Sequence, residues 1–386
     1  MVKIAVLGAG MIGRAIALDL AKNFEVTSID ISEKSLKVLQ NKNHTIKTIQ
    51  QDLGDHKNYA DLLRPFDFVV TAVPGFMGFK TLEAVILSKK NVVDISFFPE
   101  NALELDNLAK ENNVTVIVDC GVAPGMSNFI LGYHNEKMQI ENFEFMVGGL
   151  PKEKIKPFEY KAPFSPVDVI EEYTRPARFI ENGKLVTMPA LTDAELIQFE
   201  KAGTLESFNT DGLRSLLFTM PGILNMKEKT LRYPGHIDLM KALISCGFFD
   251  KEKIDYKGMK ISPFDFSSAI LFKQWKLGEE EDEFTVMQIK ISGKENAKEI
   301  TIVYDLYDEY DVATKTSSMA RTTGYTCTAA VNLLVNNLFD EKGVFPPELV
   351  GKHEQCFTFI LNYLKERNVV YTKKEYKSEQ LISQAM

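Results

Sequence analysis

The chain has 386 residues, 45% of them hydrophobic and 25% charged, with a formal net charge of −8. That length implies two or three domains, and the composition is that of a globular protein with apolar material for more than one core. No long basic run offers an electrostatic footprint for nucleic acid, and no stretch approaches the roughly 20 apolar residues of a membrane span, so neither partner is expected.

Val2 to Leu7 is a short apolar run that stops at glycine and reads as a buried strand. No charged-then-apolar leader precedes it, so no secretory signal is expected. A helix follows, with Ile12, Ile16 and Leu20 four apart on one face. Glu25 to Asp30 is the second strand. The alternation continues with Phe68–Val73 as strand, Gly78–Leu87 as helix, Val92–Ile95 as strand, Ala102–Glu111 as helix and Val114–Asp119 as strand. This rhythm predicts a doubly wound parallel sheet, an α/β domain with helices on both faces, over residues 1–123.

After Cys120 the rhythm changes. Phe143–Val147 reads as a strand ending at Gly148-Gly149, and Ser165–Tyr173 as a helix with Pro166 in its first turn. Ala177–Ile180 and Leu185–Met188 flank Asn182-Gly183, a hairpin signal. Phe284–Ile291 pairs with the alternating run Ile300, Ile302, Tyr304, Leu306 across a polar turn at 292–299. A mixed-sheet α+β domain is therefore expected over 124–316. Helices at Ser318–Leu338 and Glu354–Lys365, within a segment 317–371, are expected to return to the first domain, and the polar residues beyond about Tyr371 to be loose. The four cysteines are far apart without a CxxC pair, and the five histidines lack an HxxxH spacing. No disulfide framework or metal is expected, most cysteines read as small core residues, and a reducing cytoplasm is the expected setting.

Gly8-Ala9-Gly10-Met11-Ile12-Gly13 is GxGxxG, weak alone. Here it follows a strand, opens a helix and has an acid, Asp30, at the end of the next strand; that context defines a dinucleotide-binding (Rossmann) site. Gly8 allows the tight turn, Gly10 the approach of the pyrophosphate and Gly13 close helix packing, and the helix N-terminus offers its free N–H groups. Asp30 accepts from ribose hydroxyls and repels a 2′-phosphate, and no arginine closely follows Ile31; NAD is expected over NADP. The competing role for Asp30 is capping the turn at Ser32. FAD proteins also begin with GxGxxG, but no further flavin-binding sequence is recognisable. Ala72-Val73-Pro74 ends a later strand at the sheet's carboxyl edge and could meet the nicotinamide half.

Several collinear segments resemble the saccharopine dehydrogenase family: Val92–Ser96, Asp119–Gly125, Phe145–Pro151, Lys229–His236 and Ser318–Gly324. The likeness runs from Met1 to roughly Lys365. Glu172-Tyr173-Thr174-Arg175-Pro176-Ala177-Arg178, Pro189–Thr192 and Phe208–Leu213 resemble the lysine 6-dehydrogenase branch of that family. The resemblance implies NAD-dependent oxidation of the ε-amine of L-lysine, release of ammonia, cyclisation of the aldehyde, and a homodimer or larger homo-oligomer through the second domain. Two departures stand out from the saccharopine-cleaving members. Val122-Ala123-Pro124-Gly125 replaces Leu-Asp-Pro-Gly, and Asn209-Thr210-Asp211 replaces Asn-Arg-Asp. Losing that arginine removes a bidentate grip on one of saccharopine's extra carboxylates.

Amine oxidation needs an unprotonated nitrogen, and a lysine amine has a pKa of about 10.4, so a base is required. Asp94 and Asp119, at the carboxyl ends of adjacent strands, are the candidates, with turn or helix capping as the competing role. Ser96 shares Asp94's face and is a substrate-contact candidate; Cys120 is a further catalytic candidate, or a buried small residue. Arg175 is the expected partner of the substrate carboxylate, with Arg232 and Arg178 as rivals; the bland reading of Arg178 is a surface pair with a glutamate. Thr210 contacts substrate or caps a helix at Leu213, and Asp211 reads as the cap. His236 reads as an N-cap neighbour before a proton carrier. Two alternatives stand beside lysine oxidation: a saccharopine dehydrogenase forming L-glutamate, and a non-catalytic NAD-sensing dimer.

Overall fold

Apolar runs that end in glycine or small loops form the first layer of the structure, a computed structural model that describes residues 1–163 and 166–377. Among these residues the first sheet has seven parallel strands, in spatial order 343–345, 115–117, 91–94, 68–71, 3–7, 25–30 and 47–50. Ile4, Val6, Val70, Val93 and Ile117 are buried with their alternate neighbours Ala5, Val69, Val92 and Val116, as expected when helices cover both faces. Strand order reverses between Lys3–Leu7 and Phe68–Thr71. That switch point opens a crevice at the strands' carboxyl ends. The helix Glu33–Lys42 and the strands Lys47–Gln50 and Gly343–Phe345 escaped the sequence reading, the strands because each is short.

The second sheet is mixed. Its main path runs 195–199, 203–209, 225–232, 139–151, 283–295, 298–309, 371–377, and the hairpin Ala177–Glu181/Lys184–Met188 attaches to 225–232. The strands 225–232 and 139–151 are parallel; the other neighbours are antiparallel. Asn182 and Gly183 both have positive φ, 51° and 72°, as a two-residue hairpin turn demands. The expected polar turn at 292–299 is much shorter: pairing continues to Glu295↔Lys298, leaving Asn296-Ala297 as the turn, with φ of 49° and 64°. The expected loose tail is also corrected. Tyr371–Lys377 pairs with Lys298–Glu309 as the sheet's edge strand, its lysines giving the charged character of a protected edge. Ser165 and residues 378–386 lie outside the described residues.

Helix Ser318–Val335 leaves the second sheet and packs against Met11–Leu20. A buried polar network fastens the two. Asp19 accepts from Thr328 Oγ1 at 2.7 Å, Tyr363 Oη at 2.8 Å and Arg367 Nε at 2.9 Å. Burial raises the Asp19 carboxyl, but the charge and hydrogen bonds of Arg367 outweigh it and hold the group below the usual carboxylate value. Among the described residues no helix is long and apolar enough to cross a membrane, no His, Cys, Asp and Glu cluster could hold a metal, and all four cysteines are free, Cys246 exposed and the others buried.

Removing Arg367 leaves the buried Asp19 carboxylate with the exposed Lys22, at 3.0 Å, as its remaining cation. Arg367→Met is expected to lower the unfolding free energy by about 3 kcal/mol near neutral pH. Because the folded value is depressed, this stabilisation exists above the unfolded carboxylate value, about 3.9, and fades as pH falls through the folded one. Denaturant unfolding of both proteins at pH 7 and pH 3 checks this: the gap should narrow in acid.

Candidate active site

The cleft between the two sheets encloses about 730 Å³, and its walls come from the carboxyl ends of the first sheet and one face of the second. On the first wall, strand Lys3–Leu7 stops at Gly8, with φ of 111°, where an added Cβ would lie 2.3 Å from the Ala72 carbonyl oxygen. At Gly13 it would lie 2.2 Å from the Gly8 carbonyl oxygen. Only glycine permits both approaches. Gly10 caps helix Met11–Leu20 without a side chain, and Gly10, Met11, Ile12 and Gly13 line the cleft, so the helix's free N–H groups are available to an anion there. Asp30 and Ile31 line the same end, and Ala72, Val73 and Pro74 the adjacent one. The Asp30 carboxylate accepts from the amides of Ala9 at 2.6 Å and Ser32 at 2.7 Å. It thus caps the turn at Ser32 and also clamps the glycine loop from within the cleft wall. This cradle suits the pyrophosphate and ribose of a nicotinamide dinucleotide, with Gly8–Gly13 and Asp30 as the residues that would hold it.

The opposite wall is built on strand Asn225–Arg232. Side chains alternate along a strand, so Glu228, Thr230 and Arg232 share one face, and all three line the cleft. Arg232 is buried. Its Nη2 donates to Glu172 Oε2 at 2.6 Å and its Nε to Tyr173 Oη at 2.8 Å, and its guanidinium lies 4.4 Å from the Tyr160 ring centre. Beneath it, His236 Nε2 lies 3.0 Å from Tyr173 Oη and Nδ1 2.9 Å from the Phe158 carbonyl oxygen. Burial, reinforced by Arg232, pushes the His236 imidazole down to about 3. Neutral His236 then accepts from Tyr173, whose oxygen accepts from Arg232. His236 is a support under the cleft, in keeping with the blander reading of it.

Glu228 was not anticipated. Thr210 Oγ1 donates to its Oε2, and the Thr210 and Thr230 hydroxyl oxygens lie 2.9 Å apart. Burial pushes the Glu228 carboxyl up to about 8; the Thr210 hydrogen bond opposes this, and Glu172 and Asp211 add to it. Among the described residues no cation pairs with it. The signal that could have found it is the alternation Glu228, Thr230, Arg232, three polar residues on one face of a strand otherwise bearing apolar and pairing roles.

Arg175 also lines the cleft. It keeps 18% of its side chain exposed, sits 3.7 Å from Glu171 and lies 5.3 Å from the Phe97 ring centre, which leaves it the more available of the two cleft cations. Asp119 reaches the wall as well, but its carboxylate is engaged by Arg214 Nε at 2.8 Å. Arg214 comes from the second domain, also donates to the Phe98 carbonyl and packs on the Phe97 and Phe98 rings, so this pair clamps the domains together beside the cleft.

Three candidate residues do not reach the cleft wall. Asp94 is fully buried, accepting from Thr71 Oγ1 at 2.5 Å and the Ser96 amide at 3.2 Å, and burial pushes it up to about 7. Cys120 is buried against the Thr326 carbonyl, and burial raises its thiol well above the usual range. The turn-capping reading describes the contacts of Asp94, and the core reading those of Cys120. Asp211 caps no helix at Leu213, since the next helix is Leu216–Thr219; its carboxylate takes Arg178 bidentately at 2.8 and 2.9 Å. The partner of Arg178 is thus an aspartate.

A parallel sheet carrying a glycine-rich phosphate cradle, facing a polar pocket on a mixed sheet, defines a nicotinamide-dinucleotide oxidoreductase architecture. The saccharopine dehydrogenase NADP binding domain is matched over residues 4–117 and the saccharopine dehydrogenase C-terminal domain over residues 121–370. The chain belongs to the saccharopine dehydrogenase family. It is 24% identical over 266 residues to mitochondrial alpha-aminoadipic semialdehyde synthase of Rattus norvegicus, covering 65% of this chain and 29% of that protein. It is 26% identical over 217 residues to the saccharopine dehydrogenase [NADP(+), L-glutamate-forming] of Pyricularia oryzae, covering 53% and 48%. The chain therefore spans less than half the length of either relative. Its fold is that of the apo saccharopine dehydrogenase (L-Glu forming) from Saccharomyces cerevisiae, with a TM-score of 0.79 at 19% identity over 97% of this chain and 100% of that one.

Gly13→Val would drive its side chain into the Gly8 carbonyl and collapse the phosphate cradle. Titration calorimetry with NAD and with NADP is expected to show loss, in this variant, of whichever binding the wild type has, with near-wild-type thermal unfolding of the second domain.

Proposed function

We propose that this chain is an NAD-dependent amino-acid dehydrogenase that oxidises the ε-amine of L-lysine, with water releasing ammonia and leaving the 6-semialdehyde. The observation that carries the reading is the charge of the substrate wall. Glu171, Glu172 and Glu228 line it, whereas the lining cations among the described residues are Arg175 and Arg232, and Arg232 is already paired with Glu172. One available arginine and an unpaired acid suit a substrate with one carboxylate and a second, distal amine. Arg175 would take the α-carboxylate, and the distal amine would lie toward Glu228. Saccharopine brings two further carboxylates on its glutaryl arm, and at Thr210, where the saccharopine-cleaving members carry arginine, the hydroxyl is bonded to Glu228 instead.

The cofactor preference follows from the other end of the cleft. Asp30 and Asp52 are the charged groups at the ribose position, beside Ile31, and among the described residues no lining lysine or arginine there could pair with a 2′-phosphate. Bound in this cradle, an oxidised nicotinamide supplies the two-electron acceptor for the carbon–hydrogen bond beside the reacting nitrogen. The second reading, an L-glutamate-forming saccharopine dehydrogenase using NADP, draws its support from the activity that the fungal relative's name states.

The two are separated by following reduced nicotinamide at pH 9 with NAD or NADP and a panel of L-lysine, saccharopine and L-ornithine. Turnover of lysine with NAD is the expected result, and Asp30→Ala is expected to narrow the NAD preference over NADP. Turnover confined to saccharopine would overturn the substrate assignment, and preference for NADP would overturn the reading of Asp30.

A further inference from the structure

We propose that Glu228 is the catalytic residue that takes the proton from the substrate's reacting nitrogen, a role resting on the amine-oxidising function proposed above. Four observations carry it. The carboxyl lies in the cleft wall rather than behind it, unlike Asp94. It is not spent on an ion pair among the described residues, unlike Asp119 with Arg214, Glu172 with Arg232 and Asp211 with Arg178. One oxygen, Oε2, is held by the Thr210 hydroxyl, which fixes the plane of the group. The backbone beneath it is the central part of the sheet, where Glu228 pairs with Phe145 on strand Gln139–Pro151 and a Cβ at Gly212 would come within 2.6 Å of the carboxyl carbon, so it has little freedom to turn away.

The chemistry balances on this group. An amine enters as an ammonium. Its proton passes to the Glu228 carboxylate, leaving a lone pair on nitrogen. Loss of hydrogen from the adjacent carbon with its bonding pair, to the oxidised nicotinamide dinucleotide as the two-electron acceptor, gives a C=N cation. Water adds to that carbon, the C–N bond breaks and ammonium leaves, and the proton held by Glu228 passes to solvent. The charged groups around Glu228 are Glu172 on helix Pro166–Thr174, Asp211 in the loop after strand Gly203–Asn209, and Arg232 on its own strand. Glu172 and Asp211 both raise its proton affinity, and an arriving ammonium lowers it. The base form prevails above about pH 8, so the free enzyme should gain activity through that range.

The test uses the full chain and Glu228→Gln, with whichever amine of the panel the wild type oxidises. The kcat is expected to fall at least about 100-fold in the variant, and the rise of kcat/KM near pH 8 should vanish. A second readout needs no turnover. Calorimetry of L-lysine binding at pH 7 in two buffers of different ionisation enthalpy should show close to one proton released per amine bound by the wild type and none by the variant. Should Glu228→Gln fail to fold, Thr210→Val serves: it removes a hydrogen bond that favours the carboxylate, so the rise should move to higher pH. Retention of kcat within about twofold, with the rise and the proton release intact, or an unmoved rise in Thr210→Val, would overturn the role of Glu228 while leaving amine oxidation standing. Absence of turnover by the wild type with every amine would instead overturn the proposed function and this role with it.

Discussion

The chemistry of the cleft depends on one buried ion pair. Arg232 lies on the substrate wall with Glu172 at 2.6 Å and with the rings of Tyr160 and Tyr173 around it. A guanidinium removed from water to this degree is tolerable only with its charge and its donors satisfied, and here Glu172, Tyr173 and the Leu231 carbonyl satisfy them. The pairing has a second effect four residues away on the same strand. Because Glu172 takes Arg232, Glu228 on the same face of the strand is left without a cation, and burial gives it an affinity for protons unusual among carboxyls. In the proposed function that one side chain is the group that answers a positively charged substrate, while Arg175, less buried and held at 3.7 Å by Glu171, is the more available cation for a carboxylate.

The two walls are kept in register by contacts that do no chemistry. Asp119 and Arg214 join the domains beside the cleft, and the Asp19–Arg367 network ties the returning C-terminal segment to the helix that carries the glycine loop. Each satisfies a buried carboxylate, so removing the arginine costs more than a lost surface contact, although Asp19 keeps the exposed Lys22 as a cation. The glycine loop itself is held from the inside by Asp30, whose carboxylate bonds the Ala9 amide. A group placed to meet a ribose thus also shapes the turn beneath the phosphates.

Much of the first domain was legible in the sequence because its signals are local. An apolar run, a glycine turn and an amphipathic helix repeat in order, and Glu25–Asp30 was placed to the residue. The same holds for the Asn182-Gly183 hairpin, whose turn chemistry leaves little choice. What escaped depends on partners distant in sequence. Gly343–Phe345 is too short to read as a strand until Thr115–Ile117 offers it an edge, and Tyr371–Lys377 looks like a polar tail until Lys298–Glu309 pairs with it. The site divided in the same way. Gly8, Gly10 to Gly13, Asp30 and Ala72 to Pro74 follow from motif and strand end, and Arg175, Thr210 and Arg232 from resemblance, and all line the cleft. Asp94, Ser96 and Cys120 were drawn to the site by their place at strand ends, but depth within the layer is not encoded in that position, and they lie behind the wall. Glu228 was overlooked because its significance comes from burial and from Thr210, eighteen positions away in the chain.

The most direct measurement of the central claim follows the hydrogen itself. The full chain is incubated with NAD and L-lysine deuterated at C6, and the reduced nicotinamide and released nitrogen are analysed by mass spectrometry and NMR. Deuterium on the reduced nicotinamide, with ammonia released from the ε-nitrogen, is the expected result. Unlabelled reduced nicotinamide, or reduction only when saccharopine is supplied and glutamate is the product, would contradict the account.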